Sequence, residues 1–324
     1  MKILVLAKSA EDPATRYRVA PLAEELKARG DLVVTRFEPG LFSQLRVLST
    51  AAGFDLVLIQ RKLFGTIFIR LLRAVASKII FDFDDAINFR SNGEISKTRA
   101  KKFETVIKAA DLVLAGNSYL AESASRLGAK VEISPTSVNV DRYLSQVPKL
   151  ERINLVWIGS RSTSRYLESH RYILEALGEK IPGIRLRVIG DFELSLDHLE
   201  VENVSWTESA EVDAIAQCHI GIAPMDDDNW TRGKCALKVI QYMAAGLPVV
   251  SSAVGANRDV IKQGETGFLA ADKDEWIQAV GELVNSRQLR ERMGESARLQ
   301  VKERYSSDAT IRRLLSSLDQ LLGA

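Results

Sequence analysis

The segment GKCALKVIQYMAAGLPVVSSAVG, residues 233–255, holds two lysines and an amide spaced four and three residues apart. On a helical wheel of about 100° per residue, Lys234, Lys238 and Gln241 share one narrow arc. Leu237, Ile240 and Ala244 form a separate face suited to packing on a sheet. A helix that keeps two cations and an amide on one edge of an apolar sequence offers a site for an anion. An amphipathic helix with solvated lysines fits the same spacing, and spacing alone leaves both readings open.

Other residues invite the same scrutiny. Asp82, Asp84 and Asp85 gather at the end of the apolar run Ile79–Phe83. Clustered carboxylates at the carboxyl end of a strand are unusual without a partner. Helix capping or pairing with Arg61 would also account for them. Gly159 and Ser160 end one strand and open a helix, so their backbone could approach a ligand closely or simply turn tightly. Arg16 and Arg18 follow the first strand, with Glu24 and Glu25 within reach as salt-bridge partners. Asn117 and Ser118 follow the strand Leu112–Ala115, where Ser118 fits a helix N-cap.

Stepping outward, 324 residues suit two domains of ordinary size. An apolar content of 46% with 27% charged residues is that of a folded globular chain. Two cysteines, Cys218 and Cys235, give no disulfide framework, which points to a reducing compartment. Three scattered histidines have no metal-ligand spacing. The chain opens directly on a strand, with no signal-peptide pattern. The apolar stretch Leu63–Phe81 carries Arg70, Arg73 and Lys78, which argues against a membrane span and leaves an interfacial helix open. The net charge of +2 conceals an asymmetry: residues 1–150 hold 23 Lys and Arg against 16 Asp and Glu, so the first half is +7 and the remainder −5. A basic first half suits an anionic surface such as a membrane face. Nucleic acid is not expected, because no basic run is interleaved with aromatics.

Short apolar runs alternate with amphipathic ones throughout. Strands are expected at Ile3–Ala7, Leu32–Arg36, Leu56–Gln60, Lys78–Phe83, Leu112–Ala115 and Lys130–Ser134, with helices near Val19–Arg29, Leu63–Ala76, Lys97–Ala110 and Ser118–Leu127. The pattern restarts with strands at Asn154–Ile158, Arg185–Ile189, Val204–Ser205, Ile220–Ala223, Val249–Ser251 and Gly267–Leu269, and a helix around Tyr166–Leu177. Continuous apolar strands between helices predict parallel sheets covered on both faces, an α/β class. The polar segment Asp141–Arg152, with Pro148, is the expected linker. Domains are therefore expected at 1–150 and 151–307, with a last helix at 308–324 that carries an apolar stripe. Neither GxGxxG nor GxxxxGK[ST] follows a strand.

In this setting residues 234–255, with the GLPVV core and the later Gly264-Glu-Thr-Gly-Phe-Leu, resemble the donor-binding signature of the retaining glycosyltransferases of family 4 (group 1), which have the GT-B fold. KILVLAKS, ATRYRVAPLAEEL, FDFDDA, GNSYLAESA and WIGSRST extend the resemblance over nearly the whole chain, the motifs at 234–269 being the more specific. The resemblance implies two Rossmann-like doubly wound domains facing a central cleft, with the helix at 308–324 crossing back to the first domain. It also implies transfer of a sugar from a nucleotide diphosphate sugar, UDP- or GDP-linked, to an acceptor hydroxyl with retention and without a metal or other cofactor.

The roles implied for this chain follow residue by residue. Lys238 is the first choice for the diphosphate, with Lys234 and Arg161 beside it and the Gly159–Ser160 backbone close to the phosphates. Two glutamates eight positions apart are frequent in the family; those positions align with Gly233 and Gln241. Gln241 retains hydrogen-bonding capacity for a ribose hydroxyl. Asp226, Asp227 or Asp228 would stand in for the glutamate missing at Gly233, with Trp230 and Arg232 completing the donor site; an exposed acidic loop anchored by the Trp is the other reading. Asp84 takes the place of a histidine near the reacting sugar, as hydrogen-bonding group or base. Arg16, Arg18 and Asn117 would hold a sugar, lipid-linked or small-molecule acceptor. The expected enzyme is cytoplasmic, at the inner face of the membrane, and serves polysaccharide, glycolipid or related synthesis. A nucleotide-sugar epimerase and a non-catalytic nucleotide-sugar-binding module are the alternatives.

Overall fold

The computed structural model describes residues 1–37 and 41–323. They form two compact units: Met1–Ser137 with Asp228–Cys235 and Ser307–Ala324, and Val138–Asp227 with Ala236–Ser306. In the first, β1 (Lys2–Ala7), α1 (Ala20–Ala28), β2 (Leu32–Phe37), α2 (Leu41–Ala51), β3 (Leu56–Gln60), α3 (Thr66–Val75), β4 (Ile79–Phe83), α4 (Lys97–Ala109), β5 (Leu112–Ala115), α5 (Ser118–Ser125) and β6 (Val131–Ile133) alternate. All six strands run parallel in the order β2-β1-β3-β4-β5-β6. Strand order reverses between β1 and β3, so the loops leaving their carboxyl ends diverge and open a crevice there.

The second unit repeats the plan with β7 (Ile153–Ile158), α6 (Arg161–Ser169), α7 (Arg171–Lys180), β8 (Ile184–Gly190), β9 (Val201–Ser205), α8 (Glu211–Ala216), β10 (Ile220–Ala223), α9 (Leu237–Ala244), β11 (Val249–Ser252), α10 (Asn257–Val260), β12 (Gly267–Ala270), α11 (Lys273–Asn285) and α12 (Arg287–Arg304). Its parallel order is β12-β11-β10-β7-β8-β9, and the reversal falls between β7 and β10. Both β3 and β4 in the first unit, and β10 and β11 in the second, are buried at every residue, which is why they read as unbroken apolar runs. The α/β class and the paired doubly wound sheets agree with the sequence reading.

Three local readings differ. The helix expected near Val19 begins earlier, as a π-helical turn at Thr15–Val19 that runs into α1. The helix expected around Tyr166 is two, α6 and α7, broken at His170. The first turn of the expected linker, Val140–Tyr143, is a 3₁₀ turn with Val140 and Tyr143 buried.

The last helix, α13 (Ser307–Leu322), belongs to the first unit. Alternation along each strand feeds two cores there. Leu4, Leu6, Val57 and Phe81 face α2–α5, while Ile3, Val5, Leu56 and Ile80 face α1 and α13. Leu318 is 2% exposed within that second core, beside the strand and α1 side chains. Leu318→Ala is therefore expected to cost roughly 2–5 kcal/mol; a denaturant titration showing a loss under about 0.5 kcal/mol would contradict this packing.

Candidate functional site

The carboxyl end of β4 delivers the three aspartates into a set of cations. Arg18, 8% exposed, grips Asp82 with two guanidinium nitrogens, Nε to Oδ2 at 2.9 Å and Nη2 to Oδ1, and donates through Nη1 to the Ser134 carbonyl at 2.7 Å. Its partner is thus Asp82 rather than Glu24 or Glu25, and a bidentate fork of this kind leaves little of Arg18 for another anion. Arg16 diverges from it and lies over the Tyr17 ring, 5.7 Å from the centroid.

Arg61 leaves β3 in the left-handed region, at φ 59°, and donates its backbone N–H to the Asp82 carbonyl at 2.7 Å. Its guanidinium pairs with Asp85, with Asp84 at 3.6 Å and with Asp12 at 3.8 Å. The sequence offers Arg61 as a partner for the β4 aspartates; its convergence on Asp12 as well as Asp84 and Asp85 comes from the β1/β3 crevice. Burial raises the Asp84 carboxyl above the usual carboxylate range; Arg61 opposes this and Asp85 adds to it. Asp84 Oδ1 is buried and accepts no hydrogen bond among the described residues. A carboxyl so placed can exchange a proton closer to neutrality than an ordinary aspartate.

The segment Asp228–Cys235 packs on this cluster inside the first unit. Asp228 accepts from the backbone of Trp230 at 2.7 Å and Thr231 at 2.8 Å, folding a 3₁₀ turn at Thr231–Gly233. Asn117 caps α5 by accepting from Leu120 N–H at 2.9 Å, the role expected of Ser118, and its amide donates to the carbonyls of Arg232 at 3.1 Å and Lys234 at 3.0 Å. Lys234 Nζ meets Asp85 Oδ1 at 2.8 Å and lies 4.9 Å from the Trp230 ring centroid. Cys235 donates to the Asp84 carbonyl at 3.2 Å. Trp230, Arg232 and Lys234 thus share the unit of the aspartate cluster.

Lys234 lies outside the helix on which the wheel placed it. Ala236 is left-handed at φ 55°, so α9 begins only at Leu237. Lys238, in its first turn, sits in the second unit, with Nζ 3.9 Å from the Trp157 ring centroid. Trp157 is fully buried on β7 and meets Phe192 edge-on at 5.6 Å. A Cβ on Gly159 would lie 2.4 Å from the Trp157 ring and 2.5 Å from Thr163 Oγ1, so only glycine fits the end of β7. No side chain caps α9, and Lys238 lies in its first turn, the end of a helix whose N–H groups and dipole favour an anion. At α6, Ser160 makes no cap bond, and Asp191 Oδ1 instead takes the Arg161 N–H at 2.6 Å.

Gln241 is placed elsewhere. It is 4% exposed, and its amide donates to Tyr143 Oη at 3.0 Å and to Glu211 Oε1 at 3.1 Å, inside the second unit. Trp206 Nε1 donates to the other Glu211 oxygen at 2.8 Å. Asp226, after β10, faces His170 Nδ1 at 3.8 Å, and burial keeps that imidazole below its usual pKa despite the carboxylate. Trp157 and Asp191 carried no sequence signal beyond their neighbours; Trp157 precedes Gly159 by two residues on β7, and the parallel pairing of β7 with β8 brings Asp191 to the start of α6.

A Cβ on Gly233 would lie 2.6 Å from both Cβ and N of Ala86, within the first unit. Gly233→Glu is therefore expected to cost about 1–3 kcal/mol by overpacking. Unchanged stability in a denaturant titration would contradict this account of the glycine.

Residues 152–286 match the family model described as glycosyl transferases group 1. The chain is 28% identical over 169 residues to trehalose synthase of Pyrococcus horikoshii, covering 47% of this chain and 40% of that protein. It is 26% identical over 216 residues to a sulfoquinovosyl transferase of Arabidopsis thaliana, covering 59% and 41%. The chain thus spans about two-fifths of the length of these curated relatives. Sucrose-phosphate synthase from Thermosynechococcus elongatus superposes with a TM-score of 0.77 over 100% of both chains at 14% identity. HepE from Anabaena in complex with UDP-glucose superposes at 0.73 over 99% of this chain and 100% of that one, also at 14% identity. Those likenesses fix the fold as GT-B, with two Rossmann-like units. Residues 152–286 thus match the group 1 glycosyl transferases, and the fold around them is the GT-B fold.

Proposed function

We propose that this protein transfers a sugar from a nucleotide diphosphate sugar to an acceptor hydroxyl, with retention and without a metal. The observation that carries the reading is the cation-and-amide group at the carboxyl end of the second sheet: Lys238 beside the uncapped start of α9, with Gly159 clearing the backbone of β7. A leaving diphosphate needs charge compensation that strengthens as the glycosidic bond breaks. A lysine and preorganised N–H groups supply it without a metal ion. Arg161 and Ser160, at the start of α6, are the next donors. UDP complexes of HepE, and of a trehalose-6-phosphate protein from E. coli with UDP-2-fluoro glucose, support a UDP-sugar donor, with a GDP-sugar second.

In the first unit, Asp84 is the carboxyl group proposed to meet the reacting hydroxyl, with Arg61 setting its charge balance. Arg16 is the cation proposed for an acceptor phosphate. Arg18 and Asn117 act as positioning residues there, since their polar groups are already engaged with Asp82, Ser134, Leu120 and the 228–235 segment. Trp230, Arg232 and Lys234 are the side chains of that segment proposed as sugar contacts. Asp226 is a proposed donor contact of the second unit. Gln241 supports α9 from within. The proposed setting is the cytoplasmic face of a membrane, in polysaccharide, glycolipid or related glycoconjugate synthesis, with a sugar, lipid-linked or small-molecule acceptor.

Lys238→Ala tests the anchor. Losing a hydrogen-bonded charge should weaken nucleoside diphosphate binding by about 1.5–3 kcal/mol, measured by titration calorimetry on a variant whose circular dichroism is unchanged. Full affinity in the folded variant would remove Lys238 from the site. Conversion of a donor to its epimer, or tight donor binding with no turnover over any acceptor tried, would replace the transfer reading itself.

A further inference from the structure

The charge asymmetry of the sequence has a single place in the fold. The helices α2, α3 and α4 carry eight Lys and Arg against one Glu, a net +7, equal to the whole excess of residues 1–150. They lie side by side on one face of the first sheet, α3 packed between α2 and α4. On the opposite face, α1 holds Lys27 against Glu24 and Glu25, and the charges of α13 cancel.

The middle helix of the basic face is apolar on both sides. Phe68, Ile69 and Leu72 point into the core. On the outer side Ile67 is 76% exposed, Leu71 49% and Val75 39%, spaced four residues apart along one stripe. Leu45 of α2 adds a further aliphatic side chain at 61% exposure. Arg70 of α3 and, on the flanking helices, Arg46 of α2 and Lys101 of α4 are all exposed.

We infer that this face docks the protein on an anionic lipid bilayer, with α3 lying in the plane of the headgroups. The combination decides the partner. An aliphatic stripe of about three side chains is too small to hold a protein partner by itself and too short to span a bilayer. Cations on either side of it supply the rest of the attraction to acidic headgroups, and the aliphatic tips enter the acyl boundary. A nucleic acid would use the charge and leave Ile67 and Leu71 in water. No helix among the described residues is long and apolar enough to cross a membrane, so contact of this kind is peripheral. The inference rests on the membrane-face setting proposed above, and it is read without turnover, so the two can fail separately.

The test is co-sedimentation of the full chain with phosphatidylcholine vesicles, with and without about one-third phosphatidylglycerol. Expected is binding at least ten-fold stronger to the anionic vesicles, weakened by salt as surface charge is screened. Arg70→Glu with Lys101→Glu should lower it about ten-fold or more, and Ile67→Ser with Leu71→Ser should do likewise. Lys27→Glu on the opposite face should leave it unchanged. Unaltered thermal midpoints show that the exposed substitutions spare the fold. Equal binding to neutral and anionic vesicles, or to neither, would overturn the inference. So would a charge-reversal effect with no effect of the serine pair, which marks a purely electrostatic ligand such as nucleic acid. A self-association abolished by the serine pair, without vesicle binding, would assign the stripe to a second copy of the chain.

Discussion

The backbone at Ala236 is the constraint on which the candidate site depends. A non-glycine residue at φ 55° costs on the order of 1–2 kcal/mol, and here it divides one short sequence into two devices. Upstream, Asp228–Cys235 folds against the aspartate cluster of the first unit. Downstream, α9 starts abruptly, with no side chain capping it and Lys238 in its first turn. Were the helix to begin at Lys234 instead, that lysine would lose Asp85 and the N–H groups beside Lys238 would be consumed by an extra turn of helix. Strain of this size persists where surrounding contacts over-determine it, and Ala236 and Cys235 are both buried.

The first unit solves a related electrostatic problem. Four carboxylates, Asp12, Asp82, Asp84 and Asp85, are buried or nearly so at the carboxyl ends of β1 and β4. Arg18, Arg61 and Lys234 answer them, so removing any one cation strands charge in a poorly solvated place, at a typical cost of about 3–5 kcal/mol. Asp84 is the least satisfied of the set, its Oδ1 accepting no hydrogen bond among the described residues, and its proposed role rests on that. The close approach of Gly233 to Ala86 is part of the same packing, and it explains in steric terms why a larger residue is not found there.

Much of this was legible in the chain. Unbroken apolar strands between amphipathic helices fixed the class, and several strands, such as Leu56–Gln60 and Leu112–Ala115, matched residue for residue. The strand-end positions of Gly159 and Asp84 were visible for the same reason. Side-chain placement around α9 was less legible. The wheel joined Lys234 to Lys238 because periodicity cannot register a single left-handed residue. The wheel sets Gln241 on the lysine edge as an amide for a donor hydroxyl, yet it lies in a buried network whose partners, Tyr143 and Glu211, are far away in sequence. Trp157 is indistinguishable in sequence from a core aromatic; its contact with Lys238 joins β7 to α9, elements some eighty residues apart. The +7 of the first half was countable, but its confinement to three neighbouring helices needed the sheet order.

The central claim is that the second unit recognises a diphosphate through fixed protein donors. Titration calorimetry of the full chain, in the presence of a chelator, with a nucleoside, its monophosphate and its diphosphate addresses it most directly, using uridine and guanosine series in parallel. In one series the account predicts a stepwise gain that reaches at least about ten-fold at the diphosphate, the scale of a charge-assisted contact. Equal affinity across each series, or diphosphate binding that appears only when a divalent cation is restored, would contradict it.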